Sequence, residues 1–529
     1  MASTFFRLLL GGIAGKVLGV VREVLLAALF GVGRAVGANR VALTATMVPI
    51  NFFTADALTA GFLPLYVRYR QDDPPMALAL YRAVWTLLTV LSLGLVIALQ
   101  LARGFWTDLL GPGLDDSTAS LAASMLSVAA LGVPFYVLYS LYTLVALAQD
   151  DVRLINLRAS VQSIGLISAT VAAYFTGDLV MLAWGFTAPY AALWCWGAYW
   201  IRRKQYLNDM GGERRRRTSD RAHQKIALSM FWRRLRPLLL IPVLLQGSIS
   251  VERAVGSLLG IEVVAATEYS RFVVDSLMAL IAAPLGLAGL AAFSRMRSDE
   301  IYDGLKRMIA PILLVTVPLS IALCVNSRGI ITVLYARGEF DEHAVDVSSI
   351  MLLGFSLGIW AHVLGHTLVK VLNARGDNKR AAIANGLSFG IAATVNLVMW
   401  RYWGPFTLGL ASAIGGVVMF VGAALSLRIM RHCLGLMAVA APGALGAAAA
   451  GWLLADDGLL RLAASCSVIG LVWLAYVMLV PNLRSAFISG VWSKVASRGR
   501  KPPPVVDAPV VDAPLVRSEV ARHRGTWRS

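Results

Sequence analysis

Eight charged side chains stand inside long apolar stretches of this chain: Lys16, Arg22, Glu23, Asp56, Glu252, Arg253, Arg271 and Asp275. On insertion scales an ion at the centre of a membrane helix costs at least about 2.5–3.5 kcal/mol, so each is expected to face a partner or a water-filled cavity. The cations Lys16, Arg22, Arg253 and Arg271 have the chemistry to bind an anion. A guanidinium takes phosphate oxygens in pairs, and an ammonium acts as a point charge. The acids Glu23, Asp56, Glu252 and Asp275 are candidates for neutralising those cations or for coupling to an ion. Four cations against four acids sum to zero, so ion pairs that only fix helix packing remain open as a reading. Spacing offers local pairs. Lys16 and Glu23 share a helix face, and Arg271 lies one turn from Asp275. Glu252 and Arg253 are adjacent and diverge by about 100°, so one of them can reach a neighbouring helix.

Only a membrane protein positions charges this way. Of the 529 residues, 58% are hydrophobic and 15% charged, against about 45–50% and about 25% in soluble domains. That excess excludes soluble-enzyme, disulfide-scaffold and disordered readings for most of the chain. A spanning helix needs about 20 mostly apolar residues. Fourteen candidate stretches run from 5–30 and 41–66 through 237–260 and 267–293 to 460–481. The fold class expected is therefore all-α and polytopic, with about 14 transmembrane helices. Lys and Arg crowd the loops and tail on one side, which places both termini in the cytoplasm. The net charge of +18 follows from that topology. No aromatic-interleaved patch or module points to nucleic acid.

The eight charges fall on the first, second, seventh and eighth stretches, the first two of each half. A basic loop over 204–236, with Arg214 to Arg217 in a row, divides twelve spans six and six. The halves are weakly alike: REVLLAALFG (22–31) matches ERAVGSLLG (252–260), and 59–73 matches 286–300. Six spans per repeat gives parallel repeats, and transporters place their substrate site between such repeats. The organisation expected is a six-helix lobe over 1–203, the basic loop, a second lobe over 237–430, two further helices over 431–485, and a disordered tail over 496–529. The loop's chemistry suits anionic membrane lipids. Cys195, Cys324, Cys433 and Cys466 have no metal or disulfide spacing. His362 and His366 sit one turn apart with Lys370 beyond; they read as packing residues or as a metal pair or proton relay without a third ligand. GGIAGKV (11–17) lacks the spacing of a phosphate-binding loop. The chain is thus read as a transporter and not an enzyme, with no cofactor and no metal, driven by an ion gradient, voltage or substrate supply.

Several segments resemble the MviN/MurJ family of the multidrug/oligosaccharidyl-lipid/polysaccharide exporter superfamily. They are KVLGVVREVLLAALFGVG (16–33), FLPLYVRY (62–69), EYSRFVVDSLMALIAAPLGLAG (268–289), VLYARGEFDEHAV (333–345) and LVKVLNARGDNKRAAI (368–383). The resemblance implies a V-shaped bundle of two six-helix lobes that alternates its access. It also implies an undecaprenyl-diphosphate-linked saccharide as substrate, and helices 13 and 14 as a lipid-tail groove. Arg22 and Arg271 match family arginines, Lys16 stands where an arginine is usual, and Glu23 where an aspartate is usual.

The departures imply a remodelled cavity. Ile50 or Asn51 replaces a helix-2 arginine, Ala55-Asp56 replaces a glutamate–glycine pair, Gly37 replaces an aspartate, and Glu252-Arg253 is more like polysaccharide-export members. The function expected is therefore a flippase for an exopolysaccharide repeat unit in a bacterial inner membrane, with a glycan polymerase as partner. Lipid II of peptidoglycan is the alternative substrate. A cation-coupled drug antiporter and a non-transporting scaffold are the competing classes.

Overall fold

The computed structural model describes residues 2–54, 56–207, 218–236, 239–293, 300–456, 458–481 and 483–485. For some of these, Asp56 among them, the backbone alone is described. The basic run 214–217 and the tail from 496 lie outside the described residues.

Every element is helical among the described residues. In chain order they are α1 (Ala2–Phe30), α2 (Arg34–Thr54), α3 (Asp56–Asp72), α4 (Pro74–Leu101), α5 (Arg103–Leu110), α6 (Asp116–Ala130), α7 (Val133–Leu147), α8 (Arg153–Thr176), α9 (Met181–Arg203) and α10 (Thr218–Leu235). Then come α11 (Leu240–Leu259), α12 (Ile261–Phe293), α13 (Glu300–Val325), α14 (Ser327–Tyr335), α15 (Glu342–Leu357), α16 (Ile359–Ala374), α17 (Asn378–Trp403), α18 (Phe406–Ser426), α19 (Met430–Trp452) and α20 (Leu459–Leu479).

Helix starts follow local chemistry. Asp73 accepts from the Met76 amide ahead of a proline pair, Asp115 from Thr118, Asp341 from Ala344 and Asp377 from Arg380. A short side-chain acceptor satisfies an amide that the first turn leaves unpaired. Among the described residues, seven helices are long and apolar enough to cross a membrane, and nine spans result if the bent pairs α6–α7 (42°) and α15–α16 (43°) each count once. The helix α11 is not among them; Glu252 and Arg253 lower its hydropathy. The expected second span falls on α2 and α3, and α2 begins at Arg34, seven residues ahead of the apolar run.

The segment 204–236 is not only a loop. Its α10 lays Ala227, Phe231 and Leu235 inward and packs on α3 and α4. Phe231 lies against Gly61, and Tyr69 Oη donates to Met230 Sδ at 2.8 Å. The helices α1–α9 pack chiefly among themselves, as do α11–α18, while α19 and α20 pair and lean on α13.

Candidate functional site

The charges come together where α1 and α2 meet α11 and α12. In the first half, Glu23 on α1 is the hub. Its Oε1 accepts from Arg22 Nη2 at 2.6 Å, and its Oε2 from Arg40 Nη2, on α2, at 2.5 Å. Glu23 is only 2% exposed, and the two guanidiniums are 19% and 14% exposed. One buried carboxylate therefore serves two cations. The Arg22 guanidinium also lies over the Phe272 ring of α12, 5.8 Å from its centroid. Lys16 Nζ donates to the Ser276 carbonyl of α12 at 3.4 Å.

In the second half the pairing is one to one. Glu252 on α11 pairs with Arg271 on α12, and Arg253 on α11 pairs with Glu268 on α12. Arg253 also donates to the Val264 carbonyl at 3.2 Å. Adjacent residues thus both reach the same neighbouring helix, because Glu268 and Arg271 are one turn apart on it. Asp275 is exposed and within electrostatic reach of Lys16 and Arg271. Arg40 and Arg271 both lie within electrostatic reach of Glu268. The two clusters therefore form one charged layer through the centre of the bundle. The Nε atoms of Arg40, Arg253 and Arg271 are buried and donate to no acceptor among the described residues.

Several sequence expectations change here. Glu23 does not pair with Lys16, because Arg22 and Arg40 occupy both of its oxygens. Arg271 does not pair with Asp275, because Glu252 across the helix interface takes it. Arg253, one of the four candidate substrate cations, is 8% exposed and pairs with Glu268. The side chain of Asp56 lies outside the described residues.

Two members, Arg40 and Glu268, were missed. Arg40 falls one residue before the apolar run assigned to the second span, although the helix already includes it. Glu268 lies three residues before Arg271 inside the eighth span; that i, i+3 spacing was the available signal.

Gly37 carries a packing reason for its departure from the family pattern. A Cβ there would lie 2.3 Å from Ile261 Cδ1 and 2.9 Å from the Ile261 carbonyl oxygen. The start of α2 is pressed on the start of α12, and no aspartate fits between them. His362 is engaged with α18: its Nε2 lies 3.0 Å from the Ser412 carbonyl and its ring packs on Gly416. His366 stacks beside it at 6.1 Å. No group of three or more metal-ligating side chains is present among the described residues.

At the end of the bundle where α1 stops, the two halves are strapped together. Gly31 takes φ 55° after Phe30, and Gly338 takes φ 61° in the turn after α14. Glu339 N donates to the Ala28 carbonyl at 2.9 Å, and Tyr269 Oη donates to the Gly31 carbonyl at 3.0 Å. Tyr269, Tyr335 and Phe340 close over this contact, with centroids 5.1–5.7 Å apart. A side chain at position 31 or 338 would collide with the opposing backbone.

An all-helical bundle with a charged layer between its two halves has the architecture of a membrane transporter. Solved structures bear out that fold. The chain superimposes on a lipid II flippase MurJ in an inward closed conformation with a TM-score of 0.75, at 19% identity over 89% of this chain and 98% of that one. It superimposes on an inward-facing multidrug-resistance MATE transporter with a TM-score of 0.65, at 15% identity over 80% and 95%. The family model of lipid II flippase MurJ matches residues 26–492, and the chain belongs to that family. Similar curated proteins include a probable lipid II flippase MurJ of Synechocystis sp., 26% identical over 77% of either chain. Another is that of Thermotoga maritima, 23% identical over 78% of this chain and 82% of that one.

Proposed function

We propose that this protein flips lipid II, the undecaprenyl-diphosphate-linked precursor of peptidoglycan, across a bacterial inner membrane by alternating access. The observation that carries the reading is the first-half cluster, in which Arg22 and Arg40 share a single carboxylate. A diphosphate needs bidentate donors and net positive charge, and a cationic cavity offsets the cost of carrying it through hydrocarbon. In this reading Lys16, Arg22 and Arg40 meet the diphosphate. Glu252 and Glu268 hold the second-half cations, and Asp275 adds to the site's negative charge. The strap between Ala28–Gly31 and Gly338–Phe340 seals the outward end, and six-helix lobes over 1–203 and 237–430 rock about it. Fourteen spans with both termini in the cytoplasm complete the topology, and α19 and α20 supply a surface for the lipid tail.

The exopolysaccharide repeat unit, expected from the departures at positions 37, 50–56 and 252–253, gains no support from the relatives compared. Those of Synechocystis sp. and Thermotoga maritima are probable lipid II flippases. At Gly37 the departure has a steric cause unrelated to the substrate. The test is complementation. A bacterial strain depleted of its own lipid II flippase should grow when it carries this protein, and should lyse when it carries Arg22→Ala at equal abundance. Lysis with the wild-type protein correctly inserted would contradict the reading.

A further inference from the structure

A second cationic spot lies inside the first-half helices, apart from the carboxylate-paired layer. Arg158 on α8 donates Nε to Tyr190 Oη on α9 at 3.2 Å. Its guanidinium stacks over the Tyr136 ring of α7 at 4.6 Å and over Tyr190 at 5.7 Å. Tyr190 donates onward to Gln162 Oε1 at 3.2 Å. The two tyrosine rings are 4.8 Å apart at an edge-on angle, and Tyr136 and Tyr190 are 7% and 1% exposed. No carboxylate among the described residues pairs with Arg158.

That arrangement is unusual for an arginine in a span. The common remedy for its insertion cost is an acid, as at Glu23, Glu252 and Glu268. Phenols and ring faces hold a guanidinium in place without cancelling its charge. The spot also adjoins the charged layer. Ala159 packs against α1 so closely that a Cβ on Gly15 would lie 2.7 Å from its own Cβ, beside Lys16. Tyr190 is within electrostatic reach of Arg22.

We propose that Arg158, framed by Tyr136, Tyr190 and Gln162, is an oxyanion-binding residue of the substrate site that engages an anionic oxygen of the lipid-linked substrate. This rests on the flippase reading. The oxygen belongs either to the diphosphate or to a carboxylate of the head group, and the same chemistry serves both.

The experiment measures binding of undecaprenyl diphosphate and of lipid II to the purified full-length protein by native mass spectrometry. A thermal melt is recorded for every variant. Arg158→Gln should weaken binding about tenfold, and Arg158→Lys should restore most of it. An equal loss for both lipids assigns the contact to the diphosphate; a loss for lipid II alone assigns it to a head-group carboxylate. Gln162→Glu supplies a carboxylate from within the protein, so it should raise the melting temperature and weaken binding together. Unchanged binding in Arg158→Gln, or a stabilised Gln162→Glu that binds as tightly as wild type, overturns the proposal and leaves Arg158 as a helix staple. If Arg158→Gln fails to fold, Gln162→Glu decides alone. Wild-type protein that binds neither lipid overturns the flippase reading itself, and this inference with it.

Discussion

The two halves of the molecule place charge at the same points and use it differently. In each, an acidic–basic dipeptide stands near the end of the half's first helix, Arg22-Glu23 in α1 and Glu252-Arg253 in α11. In each, the acid reaches forward to an arginine of the next spanning helix, Arg40 or Arg271. The second half then adds Glu268, so both its arginines are matched. The first half adds no acid among the described side chains, so Glu23 is shared and Lys16 is left to a backbone carbonyl. The excess of cations over carboxylates therefore lies in the first half. The second half is a neutralised frame that holds α12 against it. An anionic cargo needs an excess of cations on only one wall.

The sharpest way to break this comparison is to remove the two hubs separately. Glu23→Ala leaves two partly buried guanidiniums without a carboxylate, and stripping the partner from a buried pair costs up to about 3–5 kcal/mol. It should abolish folded protein in detergent melts. Glu252→Ala leaves Arg271 near Glu268 and should lower the melting point less. Equal losses would show that the halves are not distinct.

Next in size is a double-mutant cycle on the second half. Arg271→Ala alone should destabilise by stranding Glu252, and the double variant with Glu252→Ala should recover stability, with a coupling of about 1–3 kcal/mol. A cycle with no coupling would free Arg271 for a substrate role. Gly37→Asp should push α2 off α12 and cost about 1–3 kcal/mol, read as a lower melting temperature; a neutral result would mean the contact is loose. Deleting 500–529 should change transport least. A large loss on that truncation would give the tail a role outside both halves.

Much of this arrangement was legible in the sequence. The class of protein followed from composition. The family followed from motifs such as LYARGEF (334–340), whose glycine turn forms the strap against α1. Most charges of the paired layer, which lies on the first two helices of each half, followed from apolar run lengths. Their pairing did not. Helical spacing reports neighbours on one helix, whereas most of the ion pairs formed here cross between α1 and α2 or between α11 and α12. Arg40 escaped because hydropathy marks where residues turn apolar, and α2 begins earlier than that. Arg158 escaped for a related reason: it stands on the first turns of α8, where a charge reads as a membrane-boundary residue. At Gly37 a missing acid reads as altered chemistry in the sequence, whereas the structure shows the close approach of two helices.

The most direct test is transport by the purified protein. Proteoliposomes carrying lipid II on both leaflets would be treated from outside with an enzyme that cleaves lipid II. With the wild-type protein, the cleaved fraction should rise from about half to nearly all of the pool. With Arg22→Ala it should stay near half. A wild-type protein that leaves the inner pool protected, while folded and correctly inserted, would contradict the account.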